Sequence, residues 1–352
     1  MKIFMHEFIT GGGPGSSTIA PTLLAEGRMM LEALLNDLLR LQEHQFLLLI
    51  DRDRVEGMSS HPRLSIEEVR GNYDRLFEEM VEIADAALLI APETGGLLEG
   101  LTAIVERNGK LLLGSSSAGI KATGNKAFAY RLLKKSGIPT PETHVIRHSD
   151  DLAPLARHLG YPVVVKPLDG AGCENVYVAR QETELRRVVA AAGRGTGRED
   201  HLLQPYVRGI HASVSLLTDG VRCLPLTLNL QKISGRMRLR YLGGRVPLDH
   251  PLRSLAFRRA EEVVGAVAGL RGYVGIDMIL TDREAVVIEV NPRITTSYVG
   301  IRKVLRQNLG AMMLETAIGN LPGPGQLEII GTARFSCGLR EGMDRRSARW
   351  PA

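Results

Sequence analysis

Short apolar runs alternate with helix-length amphipathic stretches through the first third of this chain, and that alternation restricts the fold more than any other feature. Lys2–Phe8, Phe46–Ile50, Ala86–Ile90 and Lys110–Leu113 are strand-length runs. Helix patterns lie between them. One runs to about Arg40 with Leu24, Met30, Leu31, Leu34, Leu35 and Leu38 on one broad face, and others cover Arg75–Ile83 and Leu97–Arg107. Strands separated in this way predict a parallel sheet with helices on its faces. A glycine-rich turn, Gly11–Gly15, follows the first strand. A dinucleotide-binding reading of GGGPGSST fails because Thr18 stands where the third glycine belongs, and no well-placed ribose-binding acid follows the second strand. A mobile turn lining a substrate cleft is the better reading.

The pattern changes after Ser115–Ser117. A helix over Lys126–Ser136 is stopped by Gly137, and Pro139 and Pro141 force extended chain. A helix over Asp150–His158 then leads to a strand, Pro162–Lys166, and a second glycine loop, Asp169–Asn175. From Leu202 onward strands dominate: Leu202–Val207, Ala212–Leu217, Val221–Leu226, Val274–Leu280 and Ala285–Val290. Helices are expected at Ser254–Leu270 and Ile301–Ile318. Segregated strands and helices predict an α+β portion after the α/β one.

Composition fits this picture. The 352 residues are 44% hydrophobic and 24% charged, enough for two or three packed lobes. No apolar run approaches the roughly 20 residues of a membrane helix, and MKIFMHEF lacks a signal-peptide core. Cys173, Cys223 and Cys337 are odd in number and widely spaced, which argues against a disulfide framework or zinc site and fits a reducing cytoplasm. The net charge of +5 comes without a nucleic-acid-binding motif. The basic density at Lys232–Arg240 suits a pocket for a polyanionic small molecule, and a second density lies in Arg334–Arg349.

The chemistry concentrates in YVGIDMILTDREAVVIEVNPR. Two strands flank a turn at Asp282–Glu284. A three-residue loop would set Asp277 opposite Glu289, with Cβ atoms roughly 5 Å apart, and Asn291 would point to the same face as Glu289. Hard oxygen donors of this kind suit Mg²⁺, which would take further oxygens from a phosphate. A solvated surface hairpin is the other reading of the same residues. Upstream, Lys166 ends an apolar strand and Lys126 opens a helix, and each offers a phosphate a fixed positive charge. Gly170 and Gly172 in DGAGCEN let backbone N–H groups close over phosphates. LLQPYVRG is a strand that can run into a linker whose backbone groups read adenine, Pro205 having removed one donor.

In that order, Lys126, VVVKP with its glycine loop, LLQPYVRG, GIDMIL and IEVNPR closely resemble the ATP-grasp superfamily over roughly Ala118 to Asn320. The preceding region resembles the domain that usually stands before it. The resemblance implies a Rossmann-like pre-ATP-grasp α/β domain over 1–117 and a two-lobed α+β ATP-grasp fold. Its lobes would be 118–200 and 201–332, with an Arg-rich tail over 333–352. It further implies that Lys126 and Lys166 contact ATP phosphates, that DGAGCEN is a lid, and that Gln204, Tyr206 and Val207 meet adenine. Asp277 and Glu289 would hold one Mg²⁺, with Glu289 and Asn291 holding a second, Mn²⁺ being an alternative metal. Arg293 would lie at the acyl-phosphate centre. The chain departs from the pattern at two places. His211 stands where many members carry the ribose-binding Glu, and Pro205 replaces the usual acidic residue before the hinge tyrosine.

Within the superfamily, MKIFMHEFITGGG, LLAEGRMMLEAL, APETGG, HASVSLL and LNLQKI resemble the family of tyramine–L-glutamate ligases of methanofuran-type cofactor biosynthesis. That resemblance implies a cytoplasmic enzyme acting on small molecules, with glutamate as acyl donor and a small aromatic amine as acceptor. It makes Glu26 and Glu93 candidates for ammonium groups, against plain readings as helix-start and loop charges. Arg240, with Arg236 and Arg238, is a candidate for reaching the active site or equally a solvated strand face. A different acceptor within the superfamily and a non-catalytic ATP-binding regulator are the competing readings.

Overall fold

The computed structural model describes residues 1–14, 21–58, 60–147, 150–170, 172–196 and 200–337. Thr18, Gly15, Ala171 and the tail from residue 338 lie outside the described residues.

Strands β1 (Lys2–Glu7), β2 (Gln45–Asp51), β3 (Leu64–Val69), β4 (Ala86–Ile90) and β5 (Leu111–Leu112) form a parallel sheet in the order β3-β2-β1-β4-β5. Alternate side chains leave opposite faces. Ile3, Met5, Leu48 and Leu88 pack under α1 (Pro21–Leu38). Phe4, Leu47, Leu49 and Ala87 pack under α2 (Tyr73–Ile83) and α3 (Leu97–Arg107). β3 escapes the sequence reading because it is an edge strand whose Ser65 and Glu67 are exposed.

Two short helices follow, α4 (Ser117–Gly124) and α5 (Lys126–Lys135). The Asn125 side chain accepts from the N–H groups of Ala127 and Phe128, fixing where α5 starts. A four-stranded antiparallel sheet comes next, built from β6 (His144–Arg147), β7 (Val163–Pro167), β8 (Tyr177–Ala179) and β9 (Asp200–Pro205) in the order β6-β9-β7-β8. Helices α6 (Ala153–Leu159) and α7 (Glu182–Thr196) complete this lobe. α6 starts at Ala153 rather than Asp150, which keeps Pro154 in its first turn, where a missing N–H is harmless.

The third sheet is antiparallel. It comprises β10 (Ile210–Thr218), β11 (Cys223–Ser234), β12 (Arg240–Val246), β13 (Gly272–Leu280), β14 (Ala285–Asn291) and β15 (Ala333–Ser336), in the order β14-β13-β10-β11-β12-β15. Helix α8 (Arg253–Ala266) buries Ala256, Ala260, Val263 and Val264 against one face. The helix expected over Ile301–Ile318 is two helices, α9 (Tyr298–Val304) and α10 (Leu309–Ala317). Leu305 turns extended and bridges Ile329, and the Asn308 side chain caps Ala311 N, restarting the helix. α9 and α10 share one core with α1, so the parallel sheet and the six-stranded sheet are joined. Among the described residues no helix is long and apolar enough to cross a membrane.

Candidate active site

The three sheets meet around a cavity of about 400 Å³. Its floor is the β13–β14 hairpin. The connecting loop holds four residues, 281–284, not three, with the Thr281 hydroxyl accepting from Glu284 N at 2.9 Å. A bulge between Asp277 and Met278 absorbs the extra residue, so Asp277 still pairs with Glu289 and Gly275 with Asn291. Glu289 and Asn291, two positions apart, both line the cavity with Asp277.

Asp277 accepts hydrogen bonds from Asn291 and from Gln231 Nε2, the latter at 2.8 Å. Burial, then the neighbouring Glu289 charge, raises the Asp277 carboxyl to about 7. A cation there would relieve both effects. Among the described residues no group of three or more His, Cys, Asp and Glu side chains is arranged for a metal. The donors here are two carboxylates and an amide, and that is a set Mg²⁺ takes together with water and phosphate oxygens. The residues present therefore fit the ion.

Lys126, at the first position of α5, donates to the Gly170 carbonyl at 2.8 Å and lies 3.2 Å from Glu289 Oε1. Lys166, on β7, is 4% exposed, and burial lowers it to about 8 against the attraction of Glu289. Gly170 and Gly172 stand at φ 147° and 67°, backbone that a side chain would strain. Gly172 faces Leu23 of α1, and Asp169 accepts from Gly95 N at 2.7 Å, so the glycine loop lies against the N-terminal unit.

The segment at the end of β9 lines the opposite wall. Gln204 donates from Nε2 to Thr143 Oγ1 at 2.6 Å. Tyr206 N–H is engaged by the Pro162 carbonyl at 2.9 Å, so that backbone donor serves the lobe itself. Val207 and His211 also line the cavity, and burial lowers the His211 imidazole, keeping it neutral at neutral pH.

Arg293, just past β14, is clamped by Glu93, with Nη2 to Oε2 and Nε to Oε1 both at 2.9 Å. Glu93 is thereby committed to a guanidinium, which corrects its candidacy for a substrate ammonium. Arg240 is corrected too: it is exposed at the start of β12, paired with Ser234, and outside the cavity lining. Arg238 lies over the Tyr177 ring at 6.0 Å, and the Arg236 carbonyl accepts from Arg180. Glu26, on α1, does line the cavity.

Several lining residues were not singled out in the sequence. Gln231, Ser213, Tyr241 and Thr295–Ser297 come from strands and a loop far apart in sequence. Behind them Tyr273, Ser215, Ser297 and Asn229 form a buried hydrogen-bonded set, with Tyr273 donating to Ser215 at 2.8 Å and Asn229 to Ser215 at 3.0 Å. The Gln231 signal was its place two residues beyond Asn229 on one strand, a polar pair inside LNLQKI.

Residues 123–297 match the ATP-grasp domain and residues 53–120 the pre ATP-grasp 3 domain. The chain is 33% identical over 285 residues to tyramine–L-glutamate ligase of Methanocaldococcus fervens, covering 80% of this chain and 84% of that one. It is 31% identical to the ligase of the same name from Methanocaldococcus jannaschii, covering 80% and 79%. Among solved structures, an ATP-grasp superfamily protein from Archaeoglobus fulgidus superposes with a TM-score of 0.69 at 24% identity, covering 94% and 91%. An L-amino acid ligase from Bacillus licheniformis gives a TM-score of 0.69 at 16% identity, covering 95% and 78%, a likeness of fold. The chain belongs to the ATP-grasp family and is a carbon–nitrogen ligase of that family.

Proposed function

We propose that this ligase joins the carboxylate of L-glutamate to a small aromatic amine, tyramine, through an acyl phosphate, releasing ADP and phosphate. The observation that carries the reading is the convergence of Lys126 and Lys166 on Asp277, Glu289 and Asn291 beneath the glycine loop. The names of the two tyramine–L-glutamate ligases to which the chain is similar suggest the substrates.

Asp277 and Glu289 would hold one Mg²⁺, and Glu289 with Asn291 a second; when bound, the ions neutralise charge on the phosphate oxygens. Lys126 and Lys166 add positive charge at fixed positions beside the same oxygens. Gln204, Tyr206 and Val207 face the base, and neutral His211 offers a ribose hydroxyl one donor or acceptor nitrogen. A carboxylate oxygen attacks the γ-phosphorus as the bond to ADP breaks. Arg293, held straight by Glu93, faces the acyl centre. The amine nitrogen then attacks the acyl carbon, phosphate leaves, and the nitrogen gives up a proton. Closure of the Asp169–Asn175 loop keeps water from the acyl phosphate.

The test is phosphate release with Mg-ATP across a grid of amino acids and amines, followed by product mass. Glutamate with tyramine is expected to give one amide, and Glu289→Gln none. Turnover confined to another pair would overturn the substrate assignment, and phosphate release independent of both partners would overturn ligation.

A further inference from the structure

The parallel sheet reverses its winding between β1 and β4, and open α/β sheets bind ligands at the carboxyl ends of strands at such a point. Here Glu7 and Ile9 follow from β1, Ile90 and Ala91 from β4, and all four line the far end of the same cavity. Leu23 and Met30 of α1 add apolar wall. This end therefore suits a hydrocarbon or aromatic body rather than a phosphate.

Two carboxylates of the N-terminal unit reach it, and they are not equivalent. Glu7 is consumed by the fold: Ile9 N donates at 3.2 Å, Thr10 N at 2.7 Å, and the Thr10 hydroxyl donates as well. Gly27 leaves room for this, since a Cβ there would lie 2.6 Å from the Glu7 carboxyl. Glu26 differs. Among the described residues it makes no salt bridge, and its polar contact is the Cys337 thiol. Its field neighbours are Arg293, at the acyl end, and Glu174 on the glycine loop. A carboxylate placed between apolar walls without an ion-pair contact is costly unless a ligand brings one.

Resting on the ligase reading above, we infer that Glu26 receives the ammonium group of the acceptor amine, with the amine's apolar body against Leu23, Met30 and Ile90, and that it takes the proton this ammonium loses before its nitrogen attacks. Glu174, which also lines the cavity from the glycine loop, adds a second negative charge. The step balances: the ammonium gives one proton to the Glu26 carboxylate, the freed nitrogen lone pair forms the N–C bond as the C–O bond to phosphate breaks, and the second nitrogen proton leaves with the phosphate.

A primary ammonium is also carried by the donor amino acid, and the kinetics separate the two. Glu26→Gln is expected to raise KM for the amine at least about tenfold, the loss of one charge-assisted hydrogen bond, with KM for glutamate and ATP moving less than about threefold. Glu26→Asp restores part of the loss, and Glu174→Gln raises the amine KM by a smaller factor. Hydroxylamine, small and uncharged at neutral pH, traps an acyl phosphate without an ammonium site. Glutamate hydroxamate should therefore form in Glu26→Gln while tyramine ligation collapses. An unchanged amine KM, or a rise confined to glutamate, overturns this assignment alone. No hydroxamate from the wild-type protein with any carboxylate overturns the acyl-phosphate reading beneath it.

Discussion

Asp277 shows how one residue reports the site without substrate. Its carboxyl is raised from 3.8 to about 7 by burial and by Glu289, against the hydrogen bonds from Asn291 and Gln231. Because the folded value lies above the unfolded one, the native state holds an extra proton between those pH values. The stability contributed by this group is therefore full at low pH and is lost as pH rises through about 7. In EDTA, wild-type protein should lose stability relative to Asp277→Asn as pH rises, by up to about 4 kcal/mol for a shift of this size. Thermal melts of the two proteins across pH measure the difference. Mg²⁺ at high pH should restore the wild type and raise Asp277→Asn much less. Parallel pH profiles with no metal response would remove the cation from this hairpin.

At the scale of elements, what the sequence made legible depended on whether a local pattern survived contact with its neighbours. The Asp277–Glu289 pairing was readable by counting a three-residue turn between two strand runs, and it stands because the bulge offsets the fourth loop residue. The four-residue turn and its bulge were not, since a bulge trades one residue without changing either end of the pattern. β12 was hidden for a different reason. Gly243 and Gly244 break its strand pattern, yet both stand in the strand, where a Cβ would lie 2.1 Å from the Phe335 carbonyl and 2.5 Å from that of Leu230. The glycine loop was legible as flexible backbone, but its anchor was not, because Asp169 meets Gly95 across 74 positions. That anchor ties loop closure to the N-terminal unit. Asp169→Ala should loosen the loop and admit water to the acyl phosphate. Phosphate released per amide formed should rise severalfold while amide formation falls modestly, measured by coupled phosphate assay and product mass. A ratio held at one would mean the Asp169–Gly95 contact plays no part in sealing the site.

Across the whole molecule, the candidate site depends on α1 bridging two units that the sequence describes separately. Its buried face, Met30, Leu31, Leu34, Leu35 and Leu38, was visible as a periodic stripe, but a stripe does not say which partner covers it. The partner is α9 and α10 as much as the parallel sheet. At its far end Asp37 is 5% exposed and takes Arg302 Nε at 2.9 Å and the Tyr298 hydroxyl at 2.7 Å, while Asn308 donates to the Asp37 carbonyl. Asp37 was unremarkable in sequence because its partners lie more than 250 positions away. The same helix carries Glu26 at the cavity, so the clamp fixes one end of a lever whose other end lines the proposed amine site. Asp37→Asn keeps the shape and removes the charge, leaving Arg302 largely covered and uncompensated. The unfolding free energy should fall by roughly 2–3 kcal/mol, near the lower range for breaking a covered ion pair. KM for the amine should rise with it, because α1 is freed to shift, whereas KM for ATP, whose proposed site lies between the two antiparallel sheets, should hold. Urea unfolding and steady-state kinetics on one preparation test both. A stability loss with all KM values unchanged would make the clamp a packing device only, and equal rises for amine and ATP would place its effect on the whole cavity rather than on α1.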